Sequence, residues 1–231
     1  MKSNNLLKSS VTEIAGYIDQ TLLQPTTTQK ELDLFLEQAL PYPFATLCIP
    51  PCYVGYVAVK LEQTTIGVGT VVGFPLGFQS ARAKQSEARE AVEKGASEID
   101  LVMNIAAFKS GEFRLVQDEI AEVVTALPGI TVKVILETCY LNQDEKIKAC
   151  QIVMDGGAHF VKTSTGFGSS GATIEDIRLL SKTVQGKIKV KASGGIKTST
   201  DLLQMIEAGA DRVGTSSGVV ILEQMGFTDM K

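Results

Sequence analysis

The chain has 231 residues, 44% hydrophobic and 21% charged, with a formal net charge of −4. These values suit one globular domain with a sizeable core. They exclude the basic footprint of a nucleic-acid binder and the polybasic patch of a protein held on an acidic membrane.

Residues 1–15 read as a short N-terminal lead-in. Met1 to Ser10 carries two lysines and no apolar h-region. No run in the chain approaches the ~18 apolar residues of a membrane span, so a cytoplasmic protein with no membrane partner is expected. Four cysteines (Cys48, Cys52, Cys139, Cys150) without paired spacing and one histidine, His159, argue against a Cys/His zinc site; neither metal nor cofactor is expected.

From there, short β-branched runs alternate with longer amphipathic stretches. Strands are predicted at 16–21, 44–49, 66–72, 98–103, 131–137, 159–163, 187–191 and 212–214. Helices are predicted at 29–40, 81–94, 113–127, 144–155, 174–183 and 200–208, the first with Leu32, Phe35, Leu36 and Ala39 on one face. Glycine follows the helical segments at Gly95 and Gly209, where a left-handed residue ends a helix, and Thr173 is placed to cap the helix that follows it. The joints at 93–96, 155–158 and 207–210 share one small-residue rhythm, a sign of repeated architecture. Eight strand–helix units with no linker predict an α/β fold, a single-domain (β/α)8 TIM barrel over 1–231, with a doubly wound sheet as the alternative. Either fold puts chemistry at the carboxyl ends of the strands.

Two lysines stand at such positions: Lys162 in His-Phe-Val-Lys-Thr-Ser-Thr-Gly and Lys191 in Ile-Lys-Val-Lys-Ala-Ser-Gly-Gly. A free lysine is neutral in only about one molecule in 2,500 at pH 7, and a Schiff base needs that neutral amine. Burial and a neighbouring ammonium both favour it. Residue reasoning leaves open which lysine is nucleophile and which is helper, and an edge lysine reaching solvent is the plain alternative. Asp100, at the end of the fourth strand, is placed to relay protons or simply to neutralise the lysines. Asp19 is a candidate for a substrate hydroxyl or a water, and Glu137 is read as balancing the lysine charges. The turns Ser193-Gly194-Gly195-Ile196 and Gly214-Thr215-Ser216-Ser217-Gly218 follow the seventh and eighth strands, where barrels commonly hold phosphate. Gly166-Phe-Gly168-Ser-Ser-Gly171 matches a dinucleotide fingerprint but lacks the later acid, its place being taken by Lys191.

Several motifs in one order resemble the 2-deoxyribose-5-phosphate aldolase family: Ile-Asp-Gln-Thr-Leu-Leu (18–23), Thr-Val-Val-Gly-Phe-Pro-Leu-Gly (70–77), Glu-Ile-Asp-Leu-Val (98–102), Leu-Glu-Thr-Cys (136–139), Phe-Val-Lys-Thr-Ser-Thr-Gly-Phe (160–167) and Val-Lys-Ala-Ser-Gly-Gly-Ile (190–196). The resemblance implies a metal-free class I aldolase and homodimer that cleaves 2-deoxy-D-ribose 5-phosphate reversibly to D-glyceraldehyde 3-phosphate and acetaldehyde. It implies Lys162 as the Schiff-base residue, Lys191 as its pKa-lowering neighbour and Asp100 as acid–base partner. Asp19, Thr21, Thr165 and Gly166 would lie near the sugar, and Gly194, Gly195, Gly214, Ser216 and Ser217 near the phosphate. The chain departs from many members at Gln20 (commonly His), at Cys48-Ile49-Pro50-Pro51, at Lys197 (commonly Arg) and in lacking a tyrosine after Tyr140. Another phosphate-binding barrel enzyme and a non-catalytic sugar-phosphate binder are the rival readings.

Overall fold

Each β-branched run predicted above forms a strand, and the eight strands close in chain order into one parallel barrel, the last pairing with the first. In the computed structural model, which describes residues 10–227, these are β1 (Ile18–Thr21), β2 (Thr46–Cys48), β3 (Gly67–Val72), β4 (Glu98–Val102), β5 (Thr131–Ile135), β6 (Phe160–Lys162), β7 (Lys189–Ser193) and β8 (Arg212–Thr215). The helices are α1 (Val11–Ala15), α2 (Gln29–Ala39), α3 (Val54–Leu61), α4 (Ala81–Glu93), α5 (Ile105–Lys109), α6 (Phe113–Ala126), α7 (Gln143–Asp155), α8 (Ile174–Val184), α9 (Ser199–Ala208) and α10 (Gly218–Gln224). Closure leaves no sheet edge and replaces the doubly wound alternative. Among the described residues, no helix is long and apolar enough to cross a membrane.

Local chemistry sets the helix ends. Thr28, Asn142 and Thr198 close capping boxes with Glu31, Glu145 and Asp201, and Thr173 accepts from the Asp176 N–H as predicted. Gly209 ends α9 at φ 114°, in the left-handed region where a Cβ is penalised. Four helices were not predicted. α1, α5 and α10 are too short to show a period, and α3 carries the β-branched Val54, Val57 and Val59, which lower helix propensity. Within the lead-in, residues 1–9 lie outside the described residues, whereas Ile14 and Ala15 on α1 are buried in the core.

Strand alternation divides the molecule into two interiors. Ile18, Leu47, Val68, Ile99, Leu101, Val132, Val134, Val161, Val190, Ala192 and Val213 join one continuous apolar core with the helices, including Val116, Ile120 and Val123 of α6. Each large aliphatic side chain removed from water there contributes roughly 1.5–3 kcal/mol. The alternate positions line the bore, and many of them are charged.

Strand ends differ from prediction in one consequential place. The left-handed Gln185 and Gly186, and the bond from the Lys187 N–H to the Val184 carbonyl, extend the turn after α8, so β7 begins at Lys189. Lys191 is therefore in mid-strand, as are Asp19 and Asp100, rather than at the mouth.

Outside the barrel, Lys84 of α4 is fully buried and donates to Glu119 of α6 (2.6 Å) and to the Val102 carbonyl at the end of β4 (2.9 Å). Removing one member of a buried pair leaves the other charge uncompensated. Glu119→Ala is expected to cost about 3 kcal/mol in urea unfolding, and Lys84→Met with Glu119→Leu to recover most of it. A single-variant cost well under 1 kcal/mol would contradict this account.

Candidate active site

The bore holds a continuous ladder of ion pairs. Asp100 accepts from three lysines: Lys133 at 2.9 Å on Oδ1, and Lys162 at 2.6 Å and Lys191 at 2.7 Å, both on Oδ2. Lys191 also lies 2.5 Å from Asp19 Oδ2, a charge contact without hydrogen-bond alignment. Lys133 reaches Glu98 at 2.5 Å and Asp19 at 3.4 Å. At the amino ends of the strands, Arg212 pairs with Asp19 and, at 3.3 Å, with Glu98. Burying a charge costs several kcal/mol unless it is paired, which accounts for the density of contacts.

Four cations face three carboxylates in this ladder, so full ionisation leaves one positive charge in excess. The excess falls on Lys162. Burial is the largest influence on it and favours the neutral amine; Asp100 opposes this, and Lys191 adds to it, leaving the pKa below the ordinary lysine value. Both ammonium groups lie within 2.7 Å of the same oxygen. Two unit charges then sit at most about 5 Å apart, worth roughly 3 kcal/mol at an effective dielectric of ~20, or about two pKa units. The other lysines go the other way. Burial lowers the pKa of Lys191 and of Lys133, but Asp100 and Asp19 outweigh it and hold both above the usual value. Asp100 itself is held well below the usual carboxylate range, the three lysines overcoming its burial. Cys48, facing the same bore, is pushed up to about 11 by burial and by Asp100, so it stays a thiol at neutral pH.

At the carboxyl ends of the strands a cleft of about 210 Å³ opens over Lys162. Thr21, Thr165, Gly166, Gly194, Gly195, Gly214 and Ser216 line it, together with Ser193, Lys197 and Phe167. A Cβ at Gly214 would stand 3.0 Å from Lys191 Cε and 3.3 Å from Ser193 Cβ, so a larger residue there would crowd the lysine. The loop after β6 is held by Glu137, whose carboxylate accepts from the Thr165 N–H at 3.2 Å and from its hydroxyl; Thr165 Oγ1 in turn accepts from the Phe167 N–H at 3.0 Å. Thr215 donates to the Ile196 carbonyl at 2.6 Å, tying the two glycine-rich turns together.

The structure therefore brings Lys162, Lys191 and Asp100 together, with only Lys162 of the three on the cleft wall. Asp19 is fully buried beneath Lys191 rather than beside the cleft, and Ser217 caps α10, its N–H bonded to Thr215 Oγ1. Glu137 does not balance the lysines; it holds a loop. Gln20 faces away from the bore, accepts from the Gly218 N–H at 2.8 Å and donates to the Ser216 carbonyl at 3.3 Å, so it clamps the loop after β8. Sequence reasoning missed Lys133, Glu98 and Arg212. Lys133 carried a readable signal, a single charge inside Val-Lys-Val-Ile.

Residues 14–225 match the model of the DeoC/LacD family aldolases. A protein of Caldanaerobacter subterraneus subsp. tengcongensis named deoxyribose-phosphate aldolase is 53% identical over 220 residues, 94% of this chain and 95% of that one. Among solved structures, one titled "QR15, an Aldolase" superposes with a TM-score of 0.88 at 42% identity, covering 92% of this chain and 95% of that chain. The deoxyribose phosphate aldolase from Aeropyrum pernix, described as tetrameric, gives 0.89 at 31% identity, covering 98% of this chain and 96% of that one. With a closed eight-stranded barrel and a buried lysine at the floor of its mouth cleft, this chain belongs to the DeoC/LacD family of aldolases.

Proposed function

We propose that this aldolase is a deoxyribose-phosphate aldolase that works through a Schiff base on Lys162. The observation that carries the reading is that Lys162 alone among the lysines of the ladder reaches the cleft, and that its charged form is disfavoured there. Each unit by which its pKa falls raises the neutral fraction tenfold, and only the neutral amine attacks a carbonyl.

The chemistry follows from the placement. The Lys162 amine adds to C1 of the open-chain sugar, and loss of water gives an iminium. The C3 hydroxyl passes its proton to Asp100, which gives it back at C2 in the later step; the C2–C3 bond breaks, and its electrons pass into the iminium as an enamine. D-glyceraldehyde 3-phosphate departs. Protonation of the enamine at C2 and hydrolysis then release acetaldehyde and the free lysine. Asp100, kept ionised by three lysines, relays protons at Lys162, and Lys191 keeps that amine neutral by repulsion. Thr21, Thr165 and Gly166 face the sugar. Asp19 acts through Lys191, which it holds in place. Gly194, Gly195, Gly214 and Ser216, with Ser217 shaping the turn and Lys197 at the rim, take the phosphate. The same reading includes a cytoplasmic homodimer in deoxyribose phosphate breakdown.

Incubation with acetaldehyde and borohydride should add one ethyl group to the wild type and none to Lys162→Ala by intact mass; an unlabelled wild type would overturn the Schiff-base reading. Release of acetaldehyde from deoxyribose 5-phosphate in a coupled assay separates the aldolase from a mere sugar-phosphate binder. Lys191→Leu is expected to move the acidic limb of the pH–rate profile upward by about one unit or more, since Lys162 then keeps its proton to higher pH. An unmoved limb would assign Lys191 another role. Sedimentation at micromolar concentration should show twice the chain mass, and a monomer or tetramer would correct the dimer.

A further inference from the structure

The ladder does not stop at the residues that touch Lys162. It continues to Glu98 and Arg212, the first residues of β4 and β8, at the end of the bore opposite the cleft. Lys133 joins Glu98 (2.5 Å) to Asp100 (2.9 Å), and Arg212 joins Glu98 to Asp19, which contacts Lys191 (2.5 Å). Phe160 plugs the bore beside them, with the Arg212 guanidinium 5.8 Å and Lys189 Nζ 5.6 Å from its ring centre. Lys162 itself contacts Asp100 of β4, with Lys191 of β7 and Cys48 of β2 beside it and Lys197 sharing the cleft wall; Lys133 of β5, Asp19 of β1, Glu98 of β4 and Arg212 of β8 follow further along the ladder.

We propose that Glu98 and Arg212 are positioning residues that set the protonation of Lys162 from the far end of the barrel, through the charge balance of the ladder. The inference rests on Lys162 being the Schiff-base nucleophile. Because the group carries one cation in excess, its weakest-held proton is the one on Lys162. Removing a carboxylate raises the excess and loosens that proton; removing a cation abolishes the excess and tightens it. One charge acting across roughly 7–10 Å of bore at an effective dielectric of ~20 moves a pKa by about one unit.

The test is the pH midpoint for trapping acetaldehyde on the enzyme with borohydride, read by intact mass, with folding checked by thermal melting. Glu98→Gln should move the midpoint down by about one unit and Arg212→Met up by about one unit. The double variant restores the excess of one and should return near wild type, and Arg212→Lys should stay near wild type throughout. Loss of packing alone does not produce opposite shifts that cancel. Wild type that fails to trap acetaldehyde overturns the Schiff-base reading. Wild type that traps while the two single variants keep its midpoint, or shift the same way, overturns this inference alone. If one single variant fails to fold, the other and the double variant still decide, because each has its own predicted midpoint.

Discussion

One buried carboxylate, Asp100, is shared by three lysines inside the barrel. A carboxylate has enough lone pairs for three donors but only one charge to offer them. Asp19 and Glu98 supply two more charges, and Arg212 adds another cation. The mismatch makes one amine cheaper to hold neutral than charged. The number of partners decides that it is the amine at the mouth, which has one carboxylate contact where Lys191 has two and Lys133 three. Reactivity at Lys162 is thus a property of the whole ladder.

The fold makes this arrangement affordable. A barrel interior is ordinarily filled by branched apolar side chains in layers. Here the apolar work is done between strands and helices, where Ile, Leu and Val from every strand meet the helical faces. That outer core stabilises the barrel enough for the bore to carry charges, each of which would cost several kcal/mol if left without its partners. The loops then divide their duties. Glu137 holds the turn after β6, Gln20 clamps the turn after β8, and the Thr215–Ile196 bond joins the two glycine-rich turns. These bonds fix the walls of the cleft above Lys162.

Gln20 and Glu137 show how differently one residue reads in a sequence and in a fold. Gln20 stands between Asp19 and Thr21, yet the pleat turns it outward, so its partners are backbone groups of the loop after β8. Glu137 follows β5 and was expected to offset lysine charge, but the chain leaves the strand through a left-handed residue there, which swings the carboxylate under Thr165. Neither outcome follows from residue type; both follow from the direction in which the backbone leaves a strand.

The sequence by itself determined the repeat, the eight strands, most of the long helices and the pair of lysines, because these depend on period, on local caps and on charge within β-branched runs. It also carried the family, through motifs that survive in order. The tertiary structure alone decided which lysine meets the cleft, since β7 starts two residues later than its apolar pattern suggests and sinks Lys191 one layer into the bore. It alone joined Lys133, Glu98 and Arg212 to that pair, because their contacts run between strands far apart in the chain. Charge balance in a closed barrel is a sum over all eight strands, and no stretch of sequence contains it.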